Sequence, residues 1–308
     1  MPASRSARPR ASSAPPAAAI AGSTARRADF FRLLRGRDPA ASLLPLWPAG
    51  WALTLAAGAF PPWPLVPALA LGLWFAPDVG AALSRWIGTR MDAGSEASIG
   101  RAQGERLDRT RLGLALAALA IAGVVLALVA PLPALWIALA ALLVALMLPV
   151  VERHSYLAQA LLGLATSWSV PLVFVAIEGE VSALGWLLLC AATLWATAAH
   201  IWRAMATRED DRRRGVRSTA ILLGDLDRVA QAMLHGAALV ALMLVGQRAE
   251  LGALYAAGLG LAALLMGAQF WIARSRQRDA CLRAFRFGNW VGAAVLLALV
   301  VGLAFDVR

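Results

Sequence analysis

The sequence predicts an all-α, polytopic membrane protein, a bundle of about nine transmembrane helices. Three observations predict it. Hydrophobic residues make up 60% of the 308 positions and the mean hydropathy is +0.67, well outside the range of a chain that shows a polar surface to water. Apolar runs of about 18–25 residues, the length a helix needs to cross the hydrocarbon core, recur along the chain. Short turns marked by proline or acid alternate with longer arginine-rich stretches, as in a chain that crosses back and forth.

Taken in order, residues 1–28 (MPASRSARPRASSAPPAAAIAGSTARRA) are rich in Ala, Ser, Pro and Arg and hold no acid. They cannot bury enough apolar surface to order themselves, so a disordered cytoplasmic tail precedes a transmembrane domain over 29–308. Arg- and Ser-rich, acid-poor segments also open mitochondrial proteins, which makes the mitochondrial inner membrane the alternative to a bacterial inner membrane. The lack of lysine and abundance of alanine favour the bacterium. Spans are predicted near 41–60, 62–84, 112–129, 131–150, 155–177, 181–202, 228–246, 251–272 and 288–305. Pro61 and Pro62, Pro131 and Pro133, Glu178 and Glu180, and the stretch Gln247–Glu250 make the short turns on one side.

All 29 basic residues are arginine, and on this layout only Arg248 and Arg308 fall beside the short turns. The longer loops and the N-terminus are therefore cytoplasmic. The net charge of +11 is spread over these loops and the tail, which suits anionic lipid or an anionic substrate and forms no nucleic-acid face. Cys190 lies in a span and Cys281 in a loop, so a disulfide is not expected.

Three cytoplasmic loops, 85–111, 203–227 and 273–287, mix carboxylates with arginines. Carboxylates beside arginines at the ends of membrane helices suit a magnesium-bridged diphosphate: the metal takes one or two carboxylates and phosphate oxygens, and guanidinium groups clamp the remaining charge. The competing reading makes them topological determinants that pair with one another and with lipid head groups.

Four stretches carry a family resemblance: FFRLLRGRDPAASLLPLWPAGWAL (30–53), LLGLATSWSVPLVFVA (161–176), REDDRRRGVRSTAILLGD (208–225) and RQRDACLRAFRFGNWVGAAVL (276–296). In this order and spacing they resemble the UbiA superfamily of intramembrane prenyltransferases, in its 4-hydroxybenzoate polyprenyltransferase branch. The resemblance implies nine transmembrane helices around a cavity open to lipid. It also implies transfer of an isoprenoid chain from a polyprenyl diphosphate to an aromatic ring, with magnesium held by two aspartate-rich motifs.

The chain departs from those motifs. The first, N-D-x-x-D-x-x-x-D, falls on SRWIGTRMD (84–92), where Ser84, Arg85 and Gly88 replace Asn and two aspartates and Asp92 remains. Arg85 puts a fixed positive charge where the metal would sit. In the second motif Thr207 replaces the leading aspartate, while Glu209, Asp210 and Asp211 remain and Arg213 and Arg217 stand where the family carries lysines. The family's Tyr-Asp pair upstream is Ala199-His200 and its next tyrosine is Arg203. His200 is a candidate proton acceptor or ligand, although a histidine near a helix end is more often a hydrogen-bonded structural residue. By contrast Trp47, Pro48, Trp51, Trp168, Pro171, Ser218, Thr219, Asn289 and Gly292 keep the family's packing pattern.

The residual metal set is thus Asp92, Glu209, Asp210 and Asp211, and the anion-binding set is Arg85, Arg101, Arg153, Arg213 and Arg217; no catalytic residue is assigned. The main expectation is a UbiA-type protein that binds an isoprenoid or quinone-type lipid, with magnesium weak or absent and prenyl transfer weak or lost. It would act in quinone handling or as the partner of another membrane complex. The alternative is an active 4-hydroxybenzoate polyprenyltransferase of ubiquinone biosynthesis that uses arginines and a single magnesium. A transporter is disfavoured, because no predicted span carries a fixed charge near its middle.

Overall fold

The computed structural model describes residues 41, 43–58, 63–75, 79, 101–213 and 217–305. The expected tail over 1–28 and the first motif, with Ser84, Arg85, Gly88 and Asp92, lie outside the described residues. What is described is all helix and turn: α1 (Leu46–Ala57), α2 (Leu65–Phe75), α3 (Arg101–Val129), α4 (Leu132–His154), α5 (Ala158–Ser167), α6 (Ser169–Glu178), α7 (Ala183–Arg213), α8 (Thr219–Leu223), α9 (Asp227–Arg248), α10 (Ala253–Ile272) and α11 (Arg278–Phe305). A single 3-10 turn, Gly224–Leu226, joins α8 to α9.

Six stretches among the described residues are long and apolar enough to cross a membrane: Leu112–Val129, Ala158–Glu178, Ala183–Arg213, Thr219–Arg248, Ala253–Ile272 and Arg278–Phe305. With α1, α2 and α4 they match the predicted nine-helix bundle. Their outer faces are apolar: Leu128, Leu264 and Met233 are 79%, 74% and 70% exposed. Exposed leucine at that density suits hydrocarbon and not water.

Local chemistry explains the breaks. Pro131 precedes α4 and Pro133 sits in its first turn, where a missing N–H is harmless. Pro171 cannot donate to the carbonyl of Ser167, and α5 gives way to α6 just there, at Trp168. Gly179 closes α6 at φ +85°, a conformation glycine adopts freely. Ser218 caps α8, its hydroxyl accepting from the Ile221 N–H.

The predicted loop boundaries need correction at three places. α7 continues eleven residues past the predicted span end at 202, α3 begins at Arg101 and α11 at Arg278. Hydropathy marks where apolar residues stop, but Glu, Arg and Met are strong helix formers, and the helices run on beyond the hydrocarbon.

α7 is the centre of the bundle and packs against α5, α9 and α11. Trp195 and Trp202 on it are fully buried, and the rings of Trp195 and Trp51 lie 5.0 Å apart. Gly163 of α5 lets α7 approach: a Cβ there would lie 2.7 Å from the Thr197 nitrogen and 2.9 Å from the Thr193 oxygen. The aromatic motif residues join α1 to α11. Trp47 donates to Asn289 Oδ1 at 2.8 Å and Trp51 to the Gly292 carbonyl at 3.0 Å, and Gly292 leaves room for the Trp47 ring. Trp168 donates to the Ile137 carbonyl of α4 at 3.0 Å. Elsewhere buried amides bond across helices to backbone: Gln231 to the Ala198 carbonyl and Gln269 to that of Ala284, both at 2.9 Å. Such bonds are a main source of helix–helix specificity where every surface is apolar.

One charged clasp gathers three segments. The carboxylate of Asp227, fully buried at the start of α9, accepts from Arg208 of α7 at 2.6 Å and from Arg276, in the α10–α11 turn, at 2.9 Å. Arg276 takes φ +55° there and also donates to the Asp225 carbonyl at 3.0 Å. The Asp227→Asn variant leaves two guanidinium groups facing a neutral amide. It is expected to lose about 3 kcal/mol of unfolding free energy in detergent, whereas Arg212→Ala, which breaks an exposed pair with Glu209, changes less than about 0.5 kcal/mol. Gly163→Ala forces α5 from α7 and is expected to lower stability by about 2–3 kcal/mol in the same melt. Gly236→Ala, where a Cβ meets nothing within 4 Å, is the control and holds or raises the melting temperature.

Candidate functional site

The C-terminal half of α7 carries a polar stripe. At 100° per residue His200, Arg203, Thr207 and Asp211 fall within roughly 80° of one helix face. These are the positions that the resemblance maps to Asp, Tyr, Asp and Asp. Here the set reads His, Arg, Thr, Asp, so its formal charge is near zero where the family pattern is strongly negative.

Each member has a specific surrounding. His200 Nε2 lies 2.8 Å from Thr166 Oγ1, and the Thr166 hydroxyl also reaches the Leu162 carbonyl one turn back on α5. Arg203 is exposed and its guanidinium stands 5.9 Å from the centre of the Phe285 ring on α11. Thr207 donates to Asp211 Oδ2 at 3.0 Å. Thr207 thus occupies one oxygen of Asp211.

The neighbouring acids point elsewhere. Consecutive residues on a helix are 100° apart, so Glu209, Asp210 and Asp211 fan around α7 instead of converging. Glu209 pairs with Arg212 at 3.2 Å with both side chains largely exposed, and Asp210 pairs with Arg278 of α11 at 2.8 Å. Among the described residues no group of three or more His, Cys, Asp or Glu could hold a metal ion. The described carboxylates therefore do not fit a divalent-ion pair. Asp92, the fourth acid of the expected set, lies outside the described residues.

The arginines are more favourably disposed. Arg213 ends α7, exposed. Arg217 lies just before the Ser218 cap, its guanidinium 5.5 Å from the centre of the Tyr156 ring. Thr219 fixes this corner, donating from its N–H to Gln159 Oε1 at 2.9 Å and from its hydroxyl to the Tyr156 carbonyl. Arg153 sits in the last turn of α4, two residues before Ser155, and Arg101 opens α3. Arg85 lies outside the described residues. The sequence reading assigned no part to Thr166, Arg278 or the clasp of Arg208, Asp227 and Arg276. The signal was an acid shortly after the ILLG turn, but Asp225 and Asp227 were not separable without knowing that one is buried and the other exposed. Chemically, this end of the bundle offers guanidinium groups and a helix-face hydroxyl and imidazole to an anion, beside an aromatic surface.

Comparison with known proteins accords with this architecture. The chain is 42% identical over 284 residues to a protein named 4-hydroxybenzoate octaprenyltransferase from Xanthomonas campestris pv. campestris (strain B100), covering 91% of this chain and 93% of that one. It is 38% identical over 274 residues to a protein of the same name from Xylella fastidiosa (strain M23), covering 88% and 91%. Among solved structures, the apo form of a UbiA homolog from Aeropyrum pernix K1 superposes with a TM-score of 0.68 at 22% identity, over 85% of this chain and 97% of that one. A UbiA homolog from Archaeoglobus fulgidus, solved bound to GPP and Mg2+, gives 0.56 at 16% identity over 88% and 99%. The profile of the UbiA prenyltransferase family matches residues 45–304, and the chain belongs to that family.

Proposed function

We propose that this protein is an active aromatic prenyltransferase, moving a polyprenyl chain from its diphosphate to 4-hydroxybenzoate in ubiquinone biosynthesis. The observation that carries the reading is the 42% identity, over nearly the full length of both chains, to proteins named for that reaction. The expectation that favoured a binder with transfer weak or lost has less support than this alternative. The basic loops support a site at the cytoplasmic face of a bacterial inner membrane, with the N-terminus on the same side.

In this reading the chain's own residues do what the family assigns largely to metal. The allylic C–O bond breaks and the diphosphate leaves with its negative charge; guanidinium groups are poised to meet it. Arg203 lies on the polar stripe, while Arg213 at the end of the same helix, Arg217, Arg85, Arg101 and Arg153 are the further candidates. Arginine clamps phosphate oxygens in two-pronged fashion, which a lysine cannot. Charge stabilisation placed where the leaving group develops charge is often the largest catalytic term. The aromatic ring then forms the new C–C bond and gives up a proton; His200 and Asp211 are the described groups on the stripe that can accept one. The described carboxylates support no two-metal arrangement; Asp211 is the stripe carboxylate that would hold a single magnesium, which would supply further neutralisation of the leaving diphosphate.

A second reading is favoured by one specific observation: Asp210 and Asp227 are each taken up by an arginine and Thr207 bonds to Asp211. A protein so neutralised would bind the isoprenoid without turning it over, as lipid handler or as a subunit of a larger membrane complex.

The deciding experiment is prenyl transfer by the purified protein in nanodiscs, with polyprenyl diphosphate and 4-hydroxybenzoate, titrated with magnesium and with chelator. The natural sequence is expected to turn over. Replacing Arg217 by Ala is expected to raise KM for the diphosphate about tenfold or more, the size of one charge-assisted contact, and Asp211→Asn to abolish turnover. A silent natural sequence beside an active Arg85→Asp, Gly88→Asp, Thr207→Asp triple variant would establish the second reading instead.

A further inference from the structure

We propose that Thr166 is a positioning residue that fixes the tautomer of His200, so that the imidazole presents an unprotonated Nδ1 to take the proton released by the aromatic acceptor. The chemistry rests on the prenyl-transfer reading above; the geometry rests on counting hydrogen bonds. Thr166 Oγ1 lies 2.7 Å from the Leu162 carbonyl and 2.8 Å from His200 Nε2. A hydroxyl has one proton to donate and accepts through its lone pairs. When that proton goes to Leu162, the bond a helical threonine commonly makes one turn back, the oxygen accepts from Nε2–H and both contacts are hydrogen bonds. When it goes to Nε2 instead, Leu162 receives nothing from the side chain and one bond is lost. A neutral hydrogen bond is worth about 1 kcal/mol, roughly fivefold in population, so Nε2 carries the ring proton.

Nδ1 is then the nitrogen with the lone pair, and it has no hydrogen-bond partner among the described residues. His235 on α9 shows the structural alternative: its Nδ1 lies 2.8 Å from the Gln231 carbonyl of its own helix, and the residue is buried. His200 keeps partial exposure and its second nitrogen is unspent.

Position along α7 separates His200 from the other acceptor on the stripe. Arg203 stands one turn on, about 4.5 Å in rise, whereas Asp211 stands about 12 Å beyond Arg203 and has one oxygen engaged by Thr207. A diphosphate held at Arg203 leaves its allylic carbon within reach of the imidazole. Heterolysis of the C–O bond releases the diphosphate, and an electron pair of the arene forms the new C–C bond. The arenium ion gives its ring proton to Nδ1, the C–H pair restores aromaticity, and the imidazolium passes the proton to water. An arenium C–H is acidic enough that a neutral imidazole suffices.

The tautomer is read by nitrogen NMR on the full-length protein in nanodiscs, prepared with isotope-labelled histidine. The chain has three histidines, and His200→Gln identifies the signals that belong to this one. The expected spectrum shows Nε2 protonated and Nδ1 bare. Thr166→Val, or Thr166→Ala should the first fail to fold, removes the hydroxyl and is expected to mix the two tautomers, and Thr166→Ser to restore the natural spectrum. A protonated Nδ1 in the natural protein, or a spectrum indifferent to loss of the hydroxyl, overturns the proposal. Turnover of ring-deuterated 4-hydroxybenzoate supplies the second readout. Proton loss is fast beside C–O cleavage in the natural protein, so kcat shows no isotope effect. Thr166→Val lowers kcat about fivefold and His200→Gln about a hundredfold, both with KM for the diphosphate unchanged, and a primary isotope effect appears in each. Variants that turn over without one overturn the assignment of His200 as acceptor. Because the tautomer is read without turnover, a silent protein with Nε2 protonated faults the prenyl-transfer reading alone.

Discussion

The close approach of α5 to α7 is the contact on which the rest of the bundle depends. In lipid there is no hydrophobic drive to bring two apolar helices together, so association rests on packing and on a few hydrogen bonds. Gly163 removes the side chain that would hold the backbones apart, and Thr166 three residues later reaches His200 across the same seam. With that seam set, Thr207 and Asp211 fall within about 20° of His200 around α7, so the helix period carries the stripe along the same side of α7 as the seam. The polar stripe is positioned by a glycine one or more helical turns below it.

The same logic separates the two kinds of residue that the family resemblance picked out. Trp47, Trp51 and Trp168 have long rings whose single N–H needs a partner when buried, and each finds one on another helix. Losing any of them leaves both a hole and an orphaned acceptor or amide. The stripe residues are under no such constraint, since Thr207, Asp211 and Arg203 keep partial or full exposure. They are free to change chemistry without unsettling the bundle. That difference explains how a chain of this fold can keep its aromatic anchors while the stripe carries Thr, His and Arg.

The fold class and span order were legible because they follow from run length and composition, which a linear sequence carries in full. The ends of α3, α7 and α11 were not, since Glu209, Asp210, Arg212 and Arg213 look like a loop by hydropathy and like a helix by propensity. The consequence reached the site: in a loop three consecutive acids can turn to one ion, and on a helix they cannot. Trp47 and Asn289 stand 242 residues apart, and no local pattern pairs them. Asp227 differs from Asp225 by burial alone, which is a property of the turn Gly224–Leu226 and of the arginines that close over it.

Charge at the polar-stripe end of the bundle is what the prenyl-transfer reading must reconcile. A leaving diphosphate carries more negative charge than one guanidinium offsets, so a metal-poor site needs several cations within contact distance and water kept away. The described part places Arg203 on the stripe and commits Arg208 and Arg276 to Asp227 and Arg278 to Asp210. This division has a physical rationale. An unpaired acid would draw a nearby arginine inward and cancel it. Asp210 and Asp227 are paired with arginines that lie off the stripe, so neither draws on Arg203. The arginine surplus that looks like a topological signal in the linear sequence then also serves as the electrostatic reserve of the site.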